Sequence, residues 1–116
     1  MWVYRTVSGI TQVLLDQRTA NPTNYAPVVF INASDALQYN DGAGSVITGA
    51  TTVPLNAWSH VALSRAGTNT KLFLNGIQQG STYTDTRNYI QTPVTIGARF
   101  NNTQNFTGYI DDVRIS

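Results

Sequence analysis

The run Thr70-Lys71-Leu72-Phe73-Leu74-Asn75-Gly76 constrains the chain more tightly than any other stretch. It is short, apolar and strand-favouring, and it ends on Asn-Gly. That dipeptide accepts positive φ at both central positions of a type I′ turn, whose twist suits a two-residue β-hairpin. Residues 77–80 must therefore pair back onto 71–74. Elsewhere no window sustains a helical period, while short alternating runs recur between turn residues. Strands are predicted at 2–6, 12–18, 27–32, 36–39, 45–48, 59–65, 70–75, 94–99 and 107–115. The loops are 20–25, 49–57, 83–93 and 101–105, and residues 40–44 form a roomier hairpin loop in which Asp41 builds an Asx-turn. Val13-Leu14-Leu15 and Val28-Val29-Phe30-Ile31 are apolar on both strand faces, as in sheets packed against other layers. Many short strands at close spacing predict an all-β sandwich or barrel. The 116 residues form a single domain, 1–116, large enough to bury a core without disulfides.

The side-chain inventory narrows the chemistry. The formal net charge is +1, which leaves no electrostatic footprint for nucleic acid or an anionic membrane. Only 11% of residues are charged, against about 25% in an average soluble domain. Threonine, asparagine, serine and glutamine supply the polar character instead, a composition that suits extracellular or virion-surface β proteins. No apolar run approaches the roughly 20 residues of a membrane helix, so membrane insertion is not expected. Met1-Trp2-Val3-Tyr4 enters a strand at once, and no signal peptide is read there. Cysteine is absent and His60 is the only histidine, which excludes thiolate sites and a zinc cluster.

Glutamate is absent, so any carboxylate chemistry falls on Asp16, Asp35, Asp41, Asp85, Asp111 and Asp112. A glycosidase needs two carboxyl groups, about 5 Å apart for retention or roughly 6.5–9.5 Å for inversion. Asp111 and Asp112 are neighbours on a predicted strand and point to opposite faces. They are read as structural, with Arg114 as the ion-pair partner of Asp112. No strand carries two acidic residues at i and i+2. Ser59 and His60 likewise face opposite ways and no Gly-x-Ser-x-Gly elbow exists, so no serine triad is expected. His60 is placed inside or at the edge of a sheet.

Four segments in order carry a resemblance. They are Trp58-Ser59-His60-Val61-Ala62-Leu63-Ser64-Arg65, Lys71-Leu72-Phe73-Leu74-Asn75-Gly76, Thr95-Ile96-Gly97-Ala98-Arg99 and Phe106-Thr107-Gly108-Tyr109-Ile110-Asp111-Asp112-Val113-Arg114-Ile115. Together the chain resembles laminin G-like domains of the concanavalin A-like lectin/glucanase superfamily, and its layout is similar to that of the pentraxins. The resemblance implies a two-sheet antiparallel jelly roll with Trp58 as a core residue at a strand start. It also implies strands before Trp2 and after Ile115 that this sequence lacks. The chain is therefore read as trimmed, with incomplete edge strands met by another copy through strand addition or exchange.

Such domains often bind calcium at the sandwich rim, which carries over to residues 21–24 and to Arg99, Phe100, Asn101 and Asn102. Calcium wants six to eight oxygen ligands with carboxylate among them. Arg99 stands where acid is expected, so no metal ligand and no cofactor are assigned. The rim candidates for a ligand are Asn24, Tyr25, Arg99, Phe100, Asn101 and Asn102. The expected function is a non-catalytic binding or adhesion module for carbohydrate or another surface ligand. The alternative is a purely structural assembly module that oligomerises through its open edges.

Overall fold

The computed structural model describes residues 1–19 and 25–116. All regular structure among the described residues is strand: β1 Trp2–Arg5, β2 Gln12–Asp16, β3 Val28–Ile31, β4 Ala36–Asn40, β5 Ser45–Thr52, β6 Trp58–Ala66, β7 Asn69–Leu74, β8 Ile77–Thr84, β9 Thr95–Ile96 and β10 Gly108–Asp111. They form two five-stranded antiparallel sheets, ordered β10-β1-β6-β7-β8 and β5-β4-β3-β2-β9. The sheets lie face to face as a jelly-roll sandwich. Alternation supplies the core: Val3, Val61, Leu72 and Leu74 from the first sheet meet Leu14, Val29, Ile31, Leu37, Tyr39 and Ile47 from the second. Each such side chain contributes roughly 1.5–3 kcal/mol by leaving water.

The hairpin forms as expected. Leu74 pairs with Ile77, and the two turn residues Asn75 and Gly76 have φ of 50° and 78°. The Asn75 side chain adds a tie, accepting the His60 backbone N–H at 2.7 Å. Strand β8 then runs on to Thr84, beyond the expected 77–80, because a register shift between Thr70 and Leu72 lets it continue along β7. Strand β5 also outlasts its expected end and reaches Thr52. These two extensions close one flank of the sandwich. Gln79, buried on β8, accepts the Thr51 hydroxyl of β5 at 3.0 Å. The backbones approach so closely that a Cβ on Gly80 would lie 2.7 Å from the Thr48 carbonyl oxygen.

The opposite flank is thin. The expected strand 94–99 is only Thr95–Ile96, and the expected strand 107–115 stops at Asp111. Asp112 takes φ 50°, a left-handed conformation that ends the β ladder. Strand β1, expected beside a missing edge, is instead paired on both sides, by β10 and by β6.

Candidate functional site

The outer face of β10-β1-β6 carries a strip of aromatic rings. Register places Tyr4 opposite Tyr109 on one side and Trp58 on the other, and Trp2 opposite Asp111 and His60. The rings meet edge to face: Tyr4 to Trp58 at 5.6 Å, Tyr4 to Tyr109 at 5.8 Å and Trp2 to His60 at 5.1 Å between centroids. Trp2, Trp58 and Tyr109 remain 41%, 49% and 65% exposed. Trp58 starts its strand as expected, but it is not a core residue. The reason is alternation: Ser59 and Val61 point inward and are buried, so Trp58 and His60 must point out. The signal was present in the sequence as aromatic pairs at i and i+2, Trp2/Tyr4 and Trp58/His60. His60 is half-buried on this face rather than interior.

The rim candidates fall into two groups. Arg99, Phe100, Asn101 and Asn102 form one tight loop, in which the Arg99 N–H donates to Thr103 O at 2.9 Å and Arg99 O accepts the Asn102 N–H at 2.8 Å. The Asn101 side-chain oxygen accepts the Thr103 hydroxyl at 2.5 Å, and Asn102 is exposed with φ 59°. The guanidinium groups of Arg18 and Arg99 lie 5.4 and 5.3 Å from the Phe100 ring. Tyr25 is engaged elsewhere: the Arg87 guanidinium sits 3.8 Å from its ring centroid, and Arg87 pairs with Asp41 at 3.5 Å. Asn24 lies outside the described residues. Both rim aromatics thus already carry a cation.

The carboxylate that anchors this loop is Asp16, fully buried at the end of β2. Its Oδ1 accepts the Arg18 backbone N–H and Nε, each at 2.9 Å. Its Oδ2 accepts Arg18 Nη2 at 2.8 Å and the Phe100 N–H at 3.2 Å. Burial pushes the Asp16 carboxyl upward, but the Arg18 and Phe100 hydrogen bonds outweigh it, so the pKa lies below the usual aspartate value. A carboxylate offers about four lone-pair positions, and all are taken. The internal guanidinium stands where a cation would need the charge, so the described residues of this loop do not fit a calcium ion; residues 21–24 lie outside the described residues. Among the described residues no group of three potential metal-ligating side chains occurs.

Four of the other five aspartates are similarly committed. Asp35 pairs with the buried Arg5 at 2.8 Å. Asp41 builds the expected Asx-turn, accepting the Ala43 and Gly44 N–H groups at 2.9 and 3.2 Å. Asp85 is fully buried and accepts the Tyr89 hydroxyl, the Thr70 hydroxyl at 3.3 Å and, as an ion pair at 3.6 Å, Arg65. Tyr89 in turn shares a 2.5 Å hydrogen bond with the buried Tyr39. Burial pushes both phenols well above their ordinary pKa; the Asp85 and Tyr39 hydrogen bonds add to the rise at Tyr89, whereas the Tyr89 hydrogen bond works against it at Tyr39. Asp112 pairs with Arg114 at 2.9 Å, as the sequence implied. Asp111 is exposed, and its Oδ1 accepts the Asp112 N–H at 2.8 Å.

In comparisons with known proteins, a laminin G-type family model described as the concanavalin A-like lectin/glucanases superfamily matches residues 1–116. No curated protein and no solved structure matches the chain. The chain belongs to the concanavalin A-like lectin/glucanases superfamily, in a laminin G-type family.

Proposed function

We propose that this domain is a non-catalytic binding module for saccharide chains, and that the aromatic strip Trp2, Tyr4, Trp58 and Tyr109 is its platform. Domains of this superfamily often bind ligands. The observation that carries the reading is the exposure of three large rings on one sheet face, with polar His60 and Asp111 beside them. Soluble monomers seldom display contiguous apolar area without a partner. Aromatic rings offer large, rigid contact area at low entropic cost, and the C–H face of a pyranose is the neutral partner that fits them. Asp111 and His60 can then accept from and donate to ring hydroxyls. The pairing of Asp16, Asp35, Asp41, Asp85 and Asp112 with arginines supports a role without bond cleavage. The setting is an extracellular or virion surface, in keeping with the low charge and the Thr/Asn-rich composition.

The test is a saccharide screen by thermal shift and calorimetry. A bound saccharide at a hundredfold over its Kd adds about 2.7 kcal/mol, a rise on the order of 10 °C. Trp58→Ala and Tyr109→Ala each weaken binding about tenfold or more, the loss of roughly 1.4 kcal/mol of contact. Tyr25→Ala at the rim leaves it unchanged. Binding lost in the rim variant and kept in both face variants would move the site to the rim. Calcium and EDTA leave the melting temperature unchanged, since Arg18 already occupies the Asp16 carboxylate.

A further inference from the structure

The chain has six arginines. Five of them, Arg5, Arg18, Arg65, Arg87 and Arg114, each sit within ion-pair distance of an aspartate. Among the described residues Arg99 has no such partner, and residues 20–24, Ala-Asn-Pro-Thr-Asn, contain no acid to supply one. The Arg99 Nε is buried and meets no hydrogen-bond acceptor among the described residues. An arginine that merely covers apolar surface with its stem keeps its charged head in water. Here part of the head is withdrawn from water without compensation, which is costly for a charged donor. Arg18 and Arg99 also crowd one Phe100 ring, at 5.4 and 5.3 Å from its centroid, with like charge on both.

Both guanidinium groups border a pocket of about 280 Å³ on the outer face of the second sheet. Alternation builds its wall. Leu14, Val29 and Tyr39 point into the core, so their neighbours Val13, Val28 and Asn40 turn outward. Val28 pairs with Asn40 across the sheet, and both border the pocket with Val13. The Val13 N–H donates to Gln104 O at 2.9 Å, which draws the loop that carries Arg99 against this face. Asn40 Oδ1 accepts the Gly42 N–H at 2.7 Å, so the end left to act in the pocket is its NH2 donor. No carboxylate lines the pocket. Asp16 balances Arg18, and its oxygens are taken by Arg18 and the Phe100 N–H. The walls are therefore apolar, the polar groups are donors, and one positive charge is uncompensated.

We propose that this pocket binds a small carboxylate ligand, with Arg99 as its anchor and Arg18 and Asn40 as further donors. A guanidinium presents a planar fork of N–H groups that matches the two oxygens of a carboxylate. The single uncompensated charge calls for a single negative one, which a carboxylate carries and a phosphate dianion exceeds. The volume lies just below the roughly 300–1,000 Å³ of pockets that enclose a drug-sized molecule. It therefore takes one acidic group with a short carbon body against Val13 and Val28, not a polymer chain. The site is separate from the aromatic strip, which lies on the outer face of the other sheet. It stands or falls independently of saccharide binding there.

The experiment is a nuclear magnetic resonance titration of the full chain, labelled with nitrogen-15, against the sodium salts of acetate, glucuronate, sulfate and chloride. The Arg99 Nε–H and the Phe100 amide report the pocket, and the Trp58 and Tyr109 amides report the aromatic strip separately. The expected result is a saturable shift of the pocket signals with acetate and glucuronate, each at least ~10-fold tighter than chloride. Glucuronate tighter than acetate assigns the carboxylate to an acidic sugar, and equal affinities assign it to a free carboxylate; both support the proposal. Arg99→Gln abolishes the saturable shift of the Phe100 amide. Arg99→Lys keeps the charge but not the fork, and weakens binding at least ~10-fold. A linear drift equal to that in chloride overturns the proposal. So does undiminished carboxylate binding by Arg99→Gln, and so does sulfate bound more tightly than both carboxylates.

Discussion

Gly108→Ala unfolds the β1–β10 ladder and costs the domain about 4 kcal/mol or more. Gly108 opens β10 opposite Arg5, with φ 142°, a conformation that L side chains rarely adopt. A Cβ there would fall on the Tyr4 carbonyl oxygen and 3.0 Å from Arg5 Cα. Both are backbone atoms of a strand hydrogen-bonded on its other side to β6, so neither can move aside. A domain of this size holds roughly 5–15 kcal/mol in total. The variant should therefore melt on the order of 15 °C lower or fail to fold at room temperature. Gly44→Ala is the matched control, because nothing lies within 4 Å of its added Cβ, and its effect should stay within about 0.5 kcal/mol. Equal denaturant midpoints for the two variants would falsify the close approach at Gly108. A folded Gly108→Ala protein should also lose saccharide binding, since Tyr109 is carried by the displaced strand.

Asp16→Ala should cost about 3–5 kcal/mol, the usual penalty for removing one partner of a buried ion pair. The loss is compound. Arg18, with a nearly buried side chain, is left without its carboxylate, and the Phe100 N–H loses the acceptor that pins the 99–102 loop to β2. The same group sets a pH dependence. Its folded pKa is depressed below the unfolded value of about 3.9. Its stabilisation is thus fully present above the unfolded pKa and disappears as pH falls through the folded one. Asp16→Asn should flatten part of the acid limb of the stability curve below about pH 4. The remaining slope belongs to Asp35, Asp41 and Asp112, whose carboxyl groups are also held low by their hydrogen-bond partners, with burial working against them. Urea titrations across that range, comparing the variant with the parent chain, provide the check. An acid limb unchanged by Asp16→Asn would remove Asp16 from the account.

How much was readable beforehand differs from element to element. The Asn75-Gly76 hairpin and the Asp41 turn were legible because each is decided within a few residues, by φ preferences and a side-chain acceptor in reach of its own backbone. The Asp112–Arg114 pair was legible for the same reason of proximity. Strand lengths were less so. β5 and β8 outran their expected limits because they meet across the flank and share Gln79 and Thr51, a contact between residues 28 apart. Conversely, 107–115 has strand composition throughout, yet the ladder ends at Asp111, after its last paired partner, Trp2. Propensity extends a strand only while a neighbour is there to pair with it.

The sequence by itself determined an all-β chain with a sharp hairpin and few charges, leaving sandwich and barrel both open. Those follow from residue types and short-range spacing. Only the tertiary structure decided that Trp58 faces outward in an aromatic strip and that Arg18 fills the Asp16 carboxylate. A period of two sorts side chains into two faces without saying which face is inside. That choice is made where strands distant in sequence bring their apolar sides together.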